Sequence, residues 1–96
     1  MRLVRGRKDF RLVQAGDVVV SATADPEMVE LLDRAGAVVT DVGGLLSHLV
    51  VVARERGVVV VVGTRFATSR LVDGESVMVD GRRGLVLRTS EAKLDL

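Results

Sequence analysis

Hydrophobic positions along the chain fall into short blocks whose spacing changes from one block to the next. Val18, Val19 and Val20 follow the turn signal Gly16-Asp17 as an uninterrupted apolar run, the pattern of a strand buried on both faces, and predict a strand through about Ser21. Asp25-Pro26-Glu27 then supplies a capping residue, a proline at the first helical position and an acid in the first turn. Met28, Leu31, Leu32 and Ala35 recur at i, i+3, i+4 and i+7, with Glu30, Asp33 and Arg34 between them, so an amphipathic surface helix is expected up to Gly36.

Ala37 to Thr40 reads as a second apolar strand, opening into the loop Asp41-Val42-Gly43-Gly44. Ser47 offers a helix cap, Gly57 a stop, and the segment between them a helix from Ser47 to Arg56. Val58 to Val62 is the next buried strand, ending at Gly63. Beyond it, residues 74–81 and Gly84-Leu85-Val86-Leu87 predict two short strands joined as a hairpin, and the tail after Arg88 is expected to be loose. Strands alternating with helices and closed by a hairpin predict an α/β fold with a mixed sheet and helices packed on it.

Composition narrows the classes. With 96 residues the chain is expected to form one domain over 1–96, which opens on a short basic segment, 1–15. Valine dominates a 48% hydrophobic content with only 2 Phe and no Trp or Tyr, which favours sheet. The longest apolar run, Val58 to Val62, is far below the roughly 18 to 20 residues of a membrane span, and a soluble, cytoplasmic protein is expected. With no cysteine and 1 histidine, a thiolate nucleophile is excluded and no metal site is expected in this domain.

A net charge of +1 gives no reason to expect a nucleic-acid or membrane partner. Arg2, Arg5, Arg7, Lys8 and Arg11 do cluster near the start, but no aromatic residues interleave them, and a solvated edge strand or linker remnant is the expected reading.

The candidate chemistry gathers at His48, the one side chain able to act as nucleophile or proton shuttle near neutral pH without special activation. It stands at the start of a predicted helix directly after a glycine loop, where free backbone N–H groups and the positive helix end favour an anion. On a helical wheel His48, Val51, Arg54 and Glu55 share the polar sector. Neither a P-loop nor G-x-G-x-x-G is present, and Ser47 lacks a nucleophile elbow, so it reads as a cap.

Thr40-Asp41-Val42-Gly43-Gly44-Leu45-Leu46-Ser47-His48, continuing through Ala53-Arg54-Glu55-Arg56-Gly57 to Val61-Val62-Gly63, resembles the mobile domain of phosphoenolpyruvate-utilising enzymes. Further matching pieces are Gly16 to Val20, Asp25-Pro26, Ala67-Thr68, Asp73-Gly74 and Val79-Asp80-Gly81. The resemblance implies a swivelling β/β/α fold in which a histidine, here His48, takes a phosphoryl group at one centre and delivers it to another. It places Gly43 and Gly44 where the backbone approaches the phosphate, Ser47 beside the carrier, and Arg54 at a basic position on the same helix.

The same resemblance implies no cofactor held by this domain and no complete enzyme in this chain. A nucleotide-binding domain and a phosphoenolpyruvate/pyruvate domain, with their Mg²⁺, would be supplied by the same or separate chains. Leu46 stands where the family has Thr, and Leu49 and Val50 where it has small residues. These departures motivate a second reading, a non-catalytic interaction or regulatory module retaining the fold.

Overall fold

The structure is a computed structural model that describes residues 1–43 and 47–88. Four parallel strands, β1 (Arg2–Leu3), β2 (Val18–Thr23), β3 (Ala37–Val42) and β4 (Val59–Val61), form one sheet in the order β1-β2-β3-β4. In its register Val19 lies beside Val38, and Val38 beside Val60. Helix α1 (His48–Glu55) links β3 to β4, and α2 (Ala67–Arg70) follows β4. Strands β5 (Val77–Asp80) and β6 (Leu85–Arg88) pair antiparallel as a separate hairpin. The parallel and antiparallel pairings expected of one mixed sheet are thus divided between two sheets.

The valine runs of β2 and β3 are continuous because these central strands are covered on both faces, whereas β4, expected to be buried, is an edge strand that leaves Val59 exposed. Successive strand residues point to opposite sides, so alternating polar residues would leave one side unpacked. Val19 and Val38, both 0% exposed, turn to the layer that holds Phe10, Met28, Leu31, Leu49 and Ala53. Val20, Val39 and Val61 turn the other way, onto Ala67, Leu71, Val79 and Val86 of α2 and the hairpin. The result is a helical layer, a parallel sheet, and a layer of hairpin and short helix, the β/β/α arrangement expected from the resemblance.

The first amphipathic helix is present with its predicted cap but is a 3-10 helix over Pro26–Asp33. Asp25 Oδ1 accepts from the Glu27 N–H at 2.9 Å, and Met28, Leu31 and Leu32 are buried. The tighter winding aligns Met28 with Leu31 over the sheet. Gly36 ends this segment through a close approach of two turns. Its N–H donates to Asp17 O at 2.8 Å, and a Cβ there would lie 2.7 Å from Gly16 O.

The basic N-terminal segment is neither a solvated edge strand nor a linker remnant throughout, since only Arg2–Leu3 is an edge strand. Val4, Phe10 and Val13 are buried, and Arg7–Leu12 forms a second 3-10 helix beneath which Phe10 enters the core. Some of its charges are paired across the surface, with Arg2 3.2 Å from Asp73 and Arg7 3.4 Å from Glu30. The expectations placed on Gly44, Leu46 and the tail 89–96 lie outside the described residues.

Candidate functional site

The carboxyl ends of β3 and β4 lie side by side, and the loops leaving them form the edge of the sheet at which α1 begins. In open α/β sheets this edge is where ligands bind, because loops and helix N-termini converge there. Ser47 caps α1 from an extended conformation (φ −62°, ψ 151°), its Oγ accepting from the Val50 N–H at 3.4 Å. Its carbonyl accepts from the Val51 N–H at 3.1 Å.

His48 is the first helical residue and is exposed, while Leu49, Val50 and Ala53 on the opposite side are at most 1% exposed. The predicted division of the helix into a polar sector and a core sector is therefore present. A phosphoryl group on His48 would stand at the positive end of the helix, beside N–H groups that have no helical partner.

Gly43 leaves β3 with φ 158°, and a Cβ on it would lie 3.2 Å from Ala24 Cβ and 3.3 Å from Thr40 Oγ1. The glycine permits close packing of the loop on the ends of β2 and β3. Thr40 itself is fully buried, and its hydroxyl has no hydrogen-bond partner among the described residues. Arg54 lies in the last turn of α1, exposed, six residues beyond His48 and about 9 Å along the axis. Among the described residues it pairs with neither Asp41 nor Glu55. It lines a groove with Val50, Val59 and Arg82.

Asp41 is instead the centre of a network that the sequence quoted but gave no role. Its Oδ1 accepts from Thr64 Oγ1 at 3.1 Å and from the Thr68 N–H at 3.2 Å, and its Oδ2 accepts from the Thr68 hydroxyl. Burial pushes the Asp41 carboxyl up, but the hydrogen bonds from the Thr68 hydroxyl and N–H, from Thr64 and from the Ala67 backbone outweigh it and hold the group below its ordinary range.

Backbone bonds complete the clamp, Thr64 N–H to Thr40 O at 3.2 Å and Arg65 N–H to Asp41 O at 3.0 Å. The pairing of Thr40-Asp41 with Ala67-Thr68 among the quoted motif pieces was the signal available in the sequence.

Among the described residues no group of three or more His, Asp or Glu side chains is placed to hold a metal ion. No helix among them is long and apolar enough to cross a membrane.

Residues 13–84 match the PEP-utilising enzyme, mobile domain family. The phosphoenolpyruvate synthase of Pyrococcus furiosus is 49% identical over 76 residues, covering 79% of this chain and 9% of that protein. A probable phosphoenolpyruvate synthase of Archaeoglobus fulgidus is 43% identical over 86 residues, 90% of this chain and 11% of the relative. An uncharacterised phosphotransferase of Bacillus subtilis is 39% identical over 92 residues, 96% of this chain and 11% of the relative. The chain therefore spans about a tenth of the length of these curated relatives. With the histidine at the capped start of α1 and a family match over residues 13–84, across most of the three-layer fold, the chain belongs to the mobile-domain family of PEP-utilising enzymes.

Proposed function

We propose that this domain is a phosphoryl carrier in which His48 is transiently phosphorylated and shuttles phosphate between a nucleotide site and a phosphoenolpyruvate/pyruvate or other acceptor site of a dikinase-like phosphotransferase. The observation that carries the reading is the position of His48, exposed on the first residue of a Ser47-capped helix at the carboxyl edge of the parallel sheet.

In the forward step the Nε2 lone pair of neutral His48 attacks the phosphorus of the donor, the bond from phosphorus to the donor's leaving oxygen breaks, and Nδ1 keeps its proton. In the return step an acceptor oxygen attacks the same phosphorus and the P–N bond breaks. The domain contributes positioning and charge stabilisation. Gly43 and Gly44 let the backbone approach the phosphoryl group, Ser47 orders the helix start beneath it, and Arg54 adds positive charge on the same helix.

Nucleotide and phosphoenolpyruvate/pyruvate sites, with Mg²⁺, belong to neighbouring domains in the same or separate chains, and the system is cytoplasmic. The tenfold greater length of the relatives supports this division of labour. The alternative, a non-catalytic interaction module, drew on Leu49 and Val50 beside the histidine. Both side chains are core residues, 0% and 1% exposed, packed away from the solvent side of His48, so their bulk does not occlude it.

The test is carriage in trans. The chain is incubated with phosphoenolpyruvate or ATP and a phosphoenolpyruvate synthase whose own corresponding histidine has been replaced. An acid-labile, base-stable phosphate on the chain that is lost in His48→Ala is the expected result. Undiminished labelling of His48→Ala would refute it.

A further inference from the structure

One side chain beside the site occupies a backbone conformation that does not suit it. Arg65, in the loop between β4 and α2, has φ 70°, and it is the single non-glycine residue with positive φ among those described. That left-handed region crowds the Cβ of an L-residue against the backbone, and a long side chain such as arginine gains no local hydrogen bond there to compensate, unlike asparagine or aspartate.

The loop is fixed on both sides of Arg65. Its own N–H donates to Asp41 O at 3.0 Å, Thr64 before it bonds Asp41 Oδ1 at 3.1 Å, and Thr68 after it bonds the same carboxylate at 3.2 Å. The strain is therefore imposed by the Asp41 network, the circumstance in which an unfavourable conformation persists in a folded protein. What the network holds in place is an exposed guanidinium, with no ion pair to any described residue, on the loop that leaves β4 at the carboxyl edge of the parallel sheet, the edge at which α1 begins. A glycine would satisfy the same backbone without cost, so the backbone alone does not account for an arginine.

We infer that Arg65 is a catalytic residue for phosphoryl transfer, its guanidinium donating to the oxygens of the phosphoryl group as His48 attacks. This rests on the carrier reading of His48. The planar fork of donors matches a phosphoryl oxygen pair, and the Asp41 network fixes the backbone from which it extends at the carboxyl edge of the sheet.

The experiment uses a small donor, so that docking of a partner plays no part. The chain is treated with potassium phosphoramidate. His48 Nε2 attacks phosphorus, the P–N bond of the donor breaks, ammonia leaves, and Nδ1 keeps its proton. Phosphohistidine is followed by ³¹P NMR in wild type, Arg65→Gly and Arg65→Lys, with thermal unfolding measured on each.

The expected result for Arg65→Gly is a Tm higher by about 4 °C, from relief of the strained backbone, together with phosphorylation about tenfold slower at saturating donor. Arg65→Lys, which keeps the charge and loses the fork, is expected to fall between glycine and wild type in rate without the gain in Tm. Equal rates in wild type and Arg65→Gly overturn the role of Arg65 and leave the carrier reading standing. A reduced apparent affinity for phosphoramidate with an unchanged rate at saturation overturns it as well. No phosphorylation of His48 in the wild type overturns the carrier reading and this inference with it.

Discussion

The Asp41 carboxylate accepts hydrogen bonds from both the backbone N–H and the hydroxyl of Thr68, a residue 27 positions later in the chain. This contact fastens the start of α2 to the end of β3. With the bonds from Thr64 and Arg65 it also fixes the loop that leaves β4 against the end of β3. The geometry of the proposed site thus depends on a carboxylate that takes no part in the chemistry.

Acid stability follows from that arrangement. The Asp41 carboxyl is held below its ordinary value of 3.8, because the hydrogen bonds to its charged form outweigh the cost of burying it. A group whose folded pKa is depressed contributes stability that is fully present above the unfolded value and is lost as pH falls through the folded one. The wild-type chain should therefore lose stability on acidification below about pH 4, where protonation of Asp41 removes acceptors from Thr64 and Thr68. Asp41→Asn should be less stable by about 1–3 kcal/mol at pH 7, and the gap to wild type should shrink towards pH 2. Urea unfolding at several pH values measures both, and a gap that does not change with pH would contradict the assignment.

Thr40 offers a separate check on the same corner of the fold. Its hydroxyl is buried without a hydrogen-bond partner among the described residues, a situation that costs about 1–3 kcal/mol relative to a satisfied group. Replacing the hydroxyl by a methyl of similar size removes the unsatisfied group. Thr40→Val should stabilise the domain by about 1 kcal/mol in chemical denaturation. A loss of stability would mean that the hydroxyl is paired within the folded protein.

Ser47 caps the helix on which the carrier stands. Ser47→Ala removes the side-chain acceptor for the Val50 N–H and should cost about 1 kcal/mol of stability. Fraying of the first turn also disorders His48, so phosphorylation should slow by more than the unfolded fraction accounts for. Ser47→Asn, which restores a capping acceptor, should recover most of the stability. Failure of asparagine to do so would indicate a role for the hydroxyl other than capping.

Much of this fold is legible in the sequence because each strand states its surroundings. Val18 to Val20 and Ala37 to Thr40 are continuous apolar runs that the structure covers on both faces, while the run Val58 to Val62 forms the edge strand β4, where Val61 is buried and Val59 is exposed. The helix bearing His48 is bounded by local signals, Ser47 before it and Gly57 after it, and it spans His48–Glu55 as these require.

The parts that were not legible are those decided by contacts distant in sequence. Nothing local marks Asp41 as the partner of Thr64 and Thr68, since that pairing exists only once β3 and β4 are neighbours. The positive φ of Arg65 is imposed by the same network against the residue's own preference. Phe10 and Val13 were hidden by the basic residues around them, because charge density says nothing of a single aromatic turned inward. The 3-10 winding of Pro26–Asp33 is a choice between two helices that the same i, i+3 pattern allows.

The measurement that bears most directly on the carrier role is ³¹P NMR of the chain after exposure to phosphoenolpyruvate and a phosphoenolpyruvate synthase lacking its own carrier histidine. The account predicts one phosphohistidine resonance, on Nε2, that disappears on acidification, survives base, and is absent from a His48→Ala chain shown to be folded. Phosphate on any other residue, or no phosphate on the wild-type chain under conditions in which the intact synthase is phosphorylated, would contradict it.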